Sequence, residues 1–495
     1  MDKALVPTSA SLVRCMKWQE RYKVYWIDEI DNRLKENWEE QYSLWYKGVP
    51  DEGKLEEKAR EVRELLLDPS LLAETEKLLR KGENAVRRRK AEILKKKIIQ
   101  TKIEYDKRLF SLRNEIEKRA DNFLPSIGSK KVKINEMSNI LMRSKNRGLR
   151  KEAYYSWKPL LNSIENQAQE SIKLANKLAN EAGFKSYPDL IFSFENLSHN
   201  CLSEICRNIK KNTERVWRGF LEKSKKEISD LQIYDLKFMF YKFFLPPDKY
   251  FAKEEMMEKL KSTLESFGID MNSLPVKVET QDMACSGGCY NLKMGENIRI
   301  TYNPVGGYMD YRALFHEFGH AIHYLYLPRS FLLMDEPSFK EGMADIWSEF
   351  IDTKEWLQKF TSMPENKIEA FLNVLELDEA YRYRQFIKEL SFELELYKNP
   401  EANFGSVWQG VSKKYLGIND DSGIWSEFVF SAPLYMKDYI LAKLIENSTF
   451  RFFRKEFSEI IGNREVIGFL IEKYYKPGNF IPWQEKIERA TGERV

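Results

Sequence analysis

The chain has 495 residues, 43% of them hydrophobic, so it can bury a large core, and its length suggests two or three subdomains. Its 80 basic and 76 acidic residues leave a net charge of only +4, which gives no support for a dedicated nucleic-acid or membrane partner. No N-terminal apolar run and no stretch of about 18 apolar residues occurs, so neither a signal peptide nor a membrane span is expected, and five scattered cysteines suit a reducing cytoplasm.

Helix dominates the predicted elements. Trp18 to Trp45 reads as an aromatic-rich helix, ended by a turn from Pro50 to Gly53. From Glu56 to Asn122, charged residues alternate with Leu and Ile at helical spacing, with breaks at Asp68-Pro69 and Lys81-Gly82, which predicts long antiparallel helices with solvated outer faces. The runs Arg87-Arg88-Arg89-Lys90 and Lys95-Lys96-Lys97 are interrupted by Glu92 and flanked by carboxylates, so they read as such a face rather than as a nucleic-acid patch. Leu124-Pro125-Ser126-Ile127-Gly128-Ser129 is a linker that separates an N-terminal helical region, 1–128, from the remainder, 129–495. Helices follow from Val132 to Leu231, and Leu245-Pro246-Pro247 marks a loop.

Cys285 to Tyr290 and Ile298 to Tyr302 read as short strands broken by a Gly-rich turn and by Gly295, so a small sheet is expected within a mainly α fold. Cys285 and Cys289 have no second cysteine pair or nearby histidine to complete a structural metal set, and they read as reduced thiols.

His316-Glu317-Phe318-Gly319-His320 then carries the chemistry. Histidines four apart lie about 40° from each other around a helix, so both imidazoles reach one ion from one face. Glu317, offset by about 100° from His316, stays off the metal but can act on a water beside it as a general base. The chain has only four histidines, and three of them, His316, His320 and His323, cluster here. Asp310 is the expected cap of a helix over 310–327, with Leu314, Phe318, Ala321 and Leu325 as its apolar stripe. His323 shares the ligand face but stands i+3 from His320, which makes it a polar residue near the cleft rather than a ligand.

A hydrolytic zinc site needs a third protein ligand. Glu341, on a helix expected over 338–351, is the leading candidate, and Asp345 on the same face can accept the free N–H of a ligating imidazole. Two readings compete: Glu336 as the ligand, and a capping box in which Glu341 folds back on Ser338. One Zn2+ ion is the expected cofactor.

With these residues in place, the chain resembles the thimet oligopeptidase and oligoendopeptidase family of zinc peptidases, whose helix reads like His316-Glu317-Phe318-Gly319-His320-Ala321-Ile322-His323. Arg147 to Trp157 and Asn176 to Tyr187 are similar to helices upstream of that family's catalytic half. The spacing Glu341-x-x-x-Asp345 more closely resembles the related angiotensin-converting-enzyme group. The resemblance runs from about Arg143 to the C-terminus. It implies two helical lobes flanking a deep channel with zinc at its floor, so that only short, flexible peptides enter. It also implies that a tyrosine donates a hydrogen bond to the oxyanion; the matching residues here are Tyr439 and Tyr435. Related enzymes hold the peptide as an added strand, a role for which Gly287 and Gly288 would allow close backbone approach; the other reading of these glycines is an ordinary hairpin turn. The family usually places a histidine shortly before those tyrosines, and this chain has none after His323.

The sequence thus points to an oligopeptidase acting on short peptides. The alternative of the same chemistry is a carboxypeptidase or dipeptidyl carboxypeptidase, which needs a cation for the substrate carboxylate; Lys437 and Tyr381-Arg382-Tyr383-Arg384 are the candidates. The alternative of another class is an inactive helical peptide-binding protein.

Overall fold

The computed structural model describes residues 26–46, 52–81, 84–281, 287–334, 336–421 and 432–494. It is mainly α, as the sequence predicts, with two small sheets. No helix among the described residues is long and apolar enough to cross a membrane.

The N-terminal region folds into helices Trp26–Tyr46, Glu52–Leu66, Pro69–Arg80, Ala85–Glu104 and Lys107–Asp121. Gly53 lies inside a helix rather than in the expected turn, while residues 18–25 and 47–51 lie outside the described residues. The break at Asp68-Pro69 has its physical cause in plain view: Asp68 accepts the Ser70 N–H as a cap, and Pro69 opens the next helix. A further break at Tyr105-Asp106 was not foreseen; Asp106 caps the helix that follows.

The basic run on Ala85–Glu104 is not the solvated face that its charge suggests. Lys90 pairs with Asp28 and Asp31, both at 2.8 Å. Arg89 donates to the Asn479 carbonyl at 2.7 Å, and Lys96 to the carbonyls of Ser193 and Phe194 at 2.7 and 3.1 Å. Long aliphatic stems let these cations run inward while their heads meet fixed oxygens. Arg88, exposed beside Glu92, and Lys95, paired with Glu76 at 2.8 Å, keep the expected arrangement.

The predicted linker forms a hairpin, Ser126–Ile127 against Lys130–Lys131. The main hydrophobic core runs from Ile103 to Ile487 and includes Leu109 and Ile116 from the N-terminal region. A second core joins Ile27, Leu34 and Leu94 to Leu332 and Leu333. There Asp31 accepts the Leu332 N–H at 2.8 Å and the Ser330 hydroxyl at 2.6 Å, so the N-terminal helices grip the segment that leads into helix Pro337–Phe350.

Three strands make the second sheet. Asn297–Tyr302 is central, parallel to Val276–Thr280 and antiparallel to the edge strand Gly287–Lys293. Gly287 and Gly288 pair with Tyr302 and Thr301, within a strand rather than in a turn. The hairpin turn falls at Gly295, whose φ of 66° suits glycine, and Asn291 Oδ1 accepts its N–H at 3.0 Å.

Candidate metal centre

Helix Tyr308–Tyr326 carries the two site histidines. Its start differs from expectation. Gly306 and Gly307 sit at φ 100° and 98°, and the Tyr308 N–H donates to Asp248 Oδ1 at 2.9 Å. A Cβ on Gly307 would stand 2.7 Å from that oxygen, so only glycine lets the distant carboxylate reach the helix end. Asp310 instead accepts the N–H groups of Val305 and Gly306, fixing the loop ahead of the helix.

Three helices meet closely at the site. A Cβ on Gly319 would lie 2.8 Å from Ala344 Cα and 2.9 Å from Trp347 Cβ, so Gly319 allows helix Pro337–Phe350 to touch the histidine helix. On its other side that helix meets helix Met436–Glu456, where a Cβ on Gly342 would stand 3.0 Å from Ile445. Close approach is therefore built in on both faces of the helix that carries Glu341.

The result is a convergent donor set. Glu341 Oε2 lies 3.5 Å from His316 Nε2 and 3.8 Å from His320 Nε2, and one donor atom from each residue falls within 4.8 Å of the others. Donors about 2.1 Å from a tetrahedral zinc stand about 3.4 Å apart, so the three residues fit one ion. His316 Nδ1 faces Asp345 Oδ1 at 3.1 Å, the acceptor expected behind a ligating imidazole. His320 Nδ1 is buried with no hydrogen-bond partner among the described residues.

Charge favours a cation here. Burial opposes ionisation of Glu341, but His320, His316 and Lys340 outweigh it and hold the carboxyl at about 2. Burial drives His320 down to about 3, leaving a neutral imidazole. Burial also opposes the charge on His316, yet its bonds to Asp345 and Glu341 hold it up at about 10. A carboxylate and a neutral imidazole are donors that suit Zn2+, and His316, backed by Asp345, would join them by giving up its Nε2 proton when the ion binds.

Glu317 is half-buried beside this set, and desolvation raises its pKa, while the Cys289 N–H of the edge strand bonds the carboxylate and opposes the rise. A Cβ on Gly287 would press on Glu317 Cγ at 3.1 Å. The edge strand is thus seated on the Glu317 side chain itself. Cys289 is a free thiol whose pKa burial pushes well up, and Cys285 lies outside the described residues.

Tyr435 and Tyr439 stand together, hydroxyls 3.1 Å apart. Burial raises both pKa values, so both hydroxyls keep their protons, and the negative charge of Glu341 acts on each. Two residues that the sequence did not reveal shape this pair. Leu434, fully buried, takes φ 64°, and its N–H donates at 2.6 Å to the buried Glu393. Phe386 stacks on Tyr439 with ring centroids 5.4 Å apart.

Other candidates go elsewhere. Glu336 binds Lys486 and is not part of the donor set, and Ser338 donates to Asp438 at 2.6 Å, so neither the second ligand candidate nor the capping box forms. His323 is not at the cleft. It shares the helical face of His316 but lies about 10 Å along the axis, where Phe339 and Tyr475 enclose it. Lys437 is held by Glu195 and Asp438. Arg382 pairs with Asp378 at 2.7 Å, and Arg384 bonds Thr213, Glu214 and two carbonyls. The side chains proposed to receive a substrate carboxylate are therefore occupied by the fold.

No family model matches the chain. A curated relative, an angiotensin-converting enzyme of Theromyzon tessulatum, is 22% identical over 334 residues, 62% of this chain. The match spans 53% of that relative, about half its length. Solved structures match nearly end to end. Metallocarboxypeptidase 1 of Trypanosoma cruzi has TM-score 0.68 at 15% identity, with 97% of both chains covered. A Pyrococcus furiosus carboxypeptidase has TM-score 0.62 at 17% identity, covering 95% of this chain and 96% of the other. An M32 carboxypeptidase of Deinococcus radiodurans has 0.65 at 12%, covering 97% and 96%. At such identities the likeness is one of fold. The curated match is to the angiotensin-converting-enzyme group that part of the sequence resemblance named, and none of these matches is to an oligopeptidase.

Proposed function

We propose that the chain is a zinc-dependent peptidase that cleaves peptides from the carboxyl end, a carboxypeptidase rather than the oligopeptidase expected first. The convergence of His316, His320 and Glu341 beside the half-buried Glu317 carries the peptidase reading. The end-to-end likeness to three carboxypeptidase folds favours the carboxypeptidase form.

In this reading His316, His320 and Glu341 hold the ion, and Asp345 fixes the tautomer of His316. When bound, zinc supplies Lewis acidity, polarising a water molecule and the scissile carbonyl. Glu317 takes the proton from the attacking water as its oxygen bonds to the carbonyl carbon. The same carboxyl returns that proton to the amine as the C–N bond breaks. Its raised pKa brings donor and acceptor roles closer together near neutral pH. Tyr439, with Tyr435 beside it, donates its hydroxyl to the oxyanion, a contact worth about 3 kcal/mol. Gly287 and Gly288 leave the edge strand low enough for a peptide backbone to approach. In the same reading residues 1–128 flank the channel and residues 129–495, which carry His316, Glu317, His320 and Glu341, hold the chemistry.

Mass-spectrometric digestion of peptides of graded length, each with a free or amidated C-terminus, tests the reading. Stepwise loss of C-terminal residues from free peptides alone is expected. Internal cleavage of both forms would restore the oligopeptidase, and intact peptides with a zinc-loaded protein would leave a binding protein.

A further inference from the structure

A cavity of about 510 Å3 opens beside Tyr435, walled by helices Ala85–Glu104 and Lys107–Asp121 and by the segment around Trp483. Its size falls in the range of small-molecule sites. Four of its lining residues carry buried polar atoms with no hydrogen-bond partner among the described residues: Arg113 Nε and Nη2, Trp483 Nε1, Glu195 Oε2 and Gln484 Oε1. Trp483 is only 2% exposed, and the Glu195 side chain 10%. Buried polar atoms are rarely left unmatched in a folded protein, so such a concentration in one cavity calls for a partner.

The atoms define the ligand's chemistry. Arg113 and Trp483 can only donate, while the free oxygens of Glu195 and Gln484 accept. Five cationic and five anionic side chains line the walls, so a net charge on the ligand gains nothing from the field. Apolar surface from Ile93, Phe110, Ile191 and Phe194 completes the wall.

We propose that this cavity binds a net-neutral dipolar ligand of the amino-acid class, its carboxylate taken by Arg113 and Trp483 and its ammonium or amide donors by Glu195 and Gln484. A free amino acid and a short unblocked peptide share this chemistry. The proposal stands on the cavity and does not require that the metal centre be a peptidase.

Calorimetric titration of the zinc-loaded full chain with glutamine, with phenylalanine and with N-acetylglutamine amide tests it without turnover. Saturable binding of the two zwitterions and none of the blocked amide is expected. Trp483→Phe, which keeps the ring and loses the N–H, and Arg113→Met should each weaken binding about 10-fold or more, the loss of one hydrogen bond to a charged group. A glycyl-glutamine arm in the Glu317→Gln protein separates the sources: tighter binding than glutamine assigns the cavity to the incoming peptide, weaker binding to the released amino acid. Absence of saturable binding by any zwitterion, equal binding of the blocked amide, or unchanged affinity in both variants overturns the proposal.

Discussion

Tyr435 separates two polar sites that solve opposite problems. On one side, the chain brings its own groups to a point: Glu341 faces both histidines, Asp345 backs His316, and the Cys289 N–H steadies Glu317. On the other side, Arg113, Trp483, Glu195 and Gln484 hold atoms with no hydrogen-bond partner among the described residues. A small ion needs a donor set fixed by packing, whereas an organic ligand must find donors and acceptors still available. Rigidity at the first site comes from glycines at helix contacts, and the second is spanned by long side chains from several helices.

The contrast can be broken most severely at the donor set. His320→Ala should drop zinc from one ion per chain to near none, read by elemental mass spectrometry, and lower peptide turnover about 1,000-fold or more. Stoichiometric zinc in that variant would show that the three residues are not the donors. Tyr439→Phe should keep zinc and cut kcat about 100-fold with little change in KM, and a larger loss in Tyr435→Phe would exchange the roles of the two tyrosines. Asp345→Asn should weaken zinc binding about 10- to 100-fold in a chelator competition while leaving the fold intact. Gly319→Ala should cost about 1–3 kcal/mol in denaturant unfolding, because its Cβ meets Ala344 and Trp347 at 2.8 and 2.9 Å. An unchanged midpoint there would remove the claim that close helix contact sets the geometry.

How much of this was legible in the sequence follows from range. His316, Glu317 and His320 were readable because a helix fixes their relation within one turn. The helix that carries Glu341 and Asp345 was readable in outline. The choice between Glu341 and Glu336 was not, because it depends on Lys486, far along the chain, which claims Glu336. Long-range pairing also undid the expected carboxylate receptors, since Glu195 and Asp438 hold Lys437. His323 misled because helical spacing gives angle but not depth, and a position two turns away lay in the core. Charge density misled along Ala85–Glu104, where the oxygens that receive Arg89 and Lys96 come from other elements. The support of Leu434 by Glu393 leaves no local signature at all.

Glu317→Gln tests the central claim most directly, with zinc content and peptide hydrolysis measured on the same sample. The amide keeps the shape of the side chain and removes the base, so one bound zinc per chain with kcat lowered about 100- to 10,000-fold is the expected result. Near-parental turnover by the zinc-loaded variant would contradict the account.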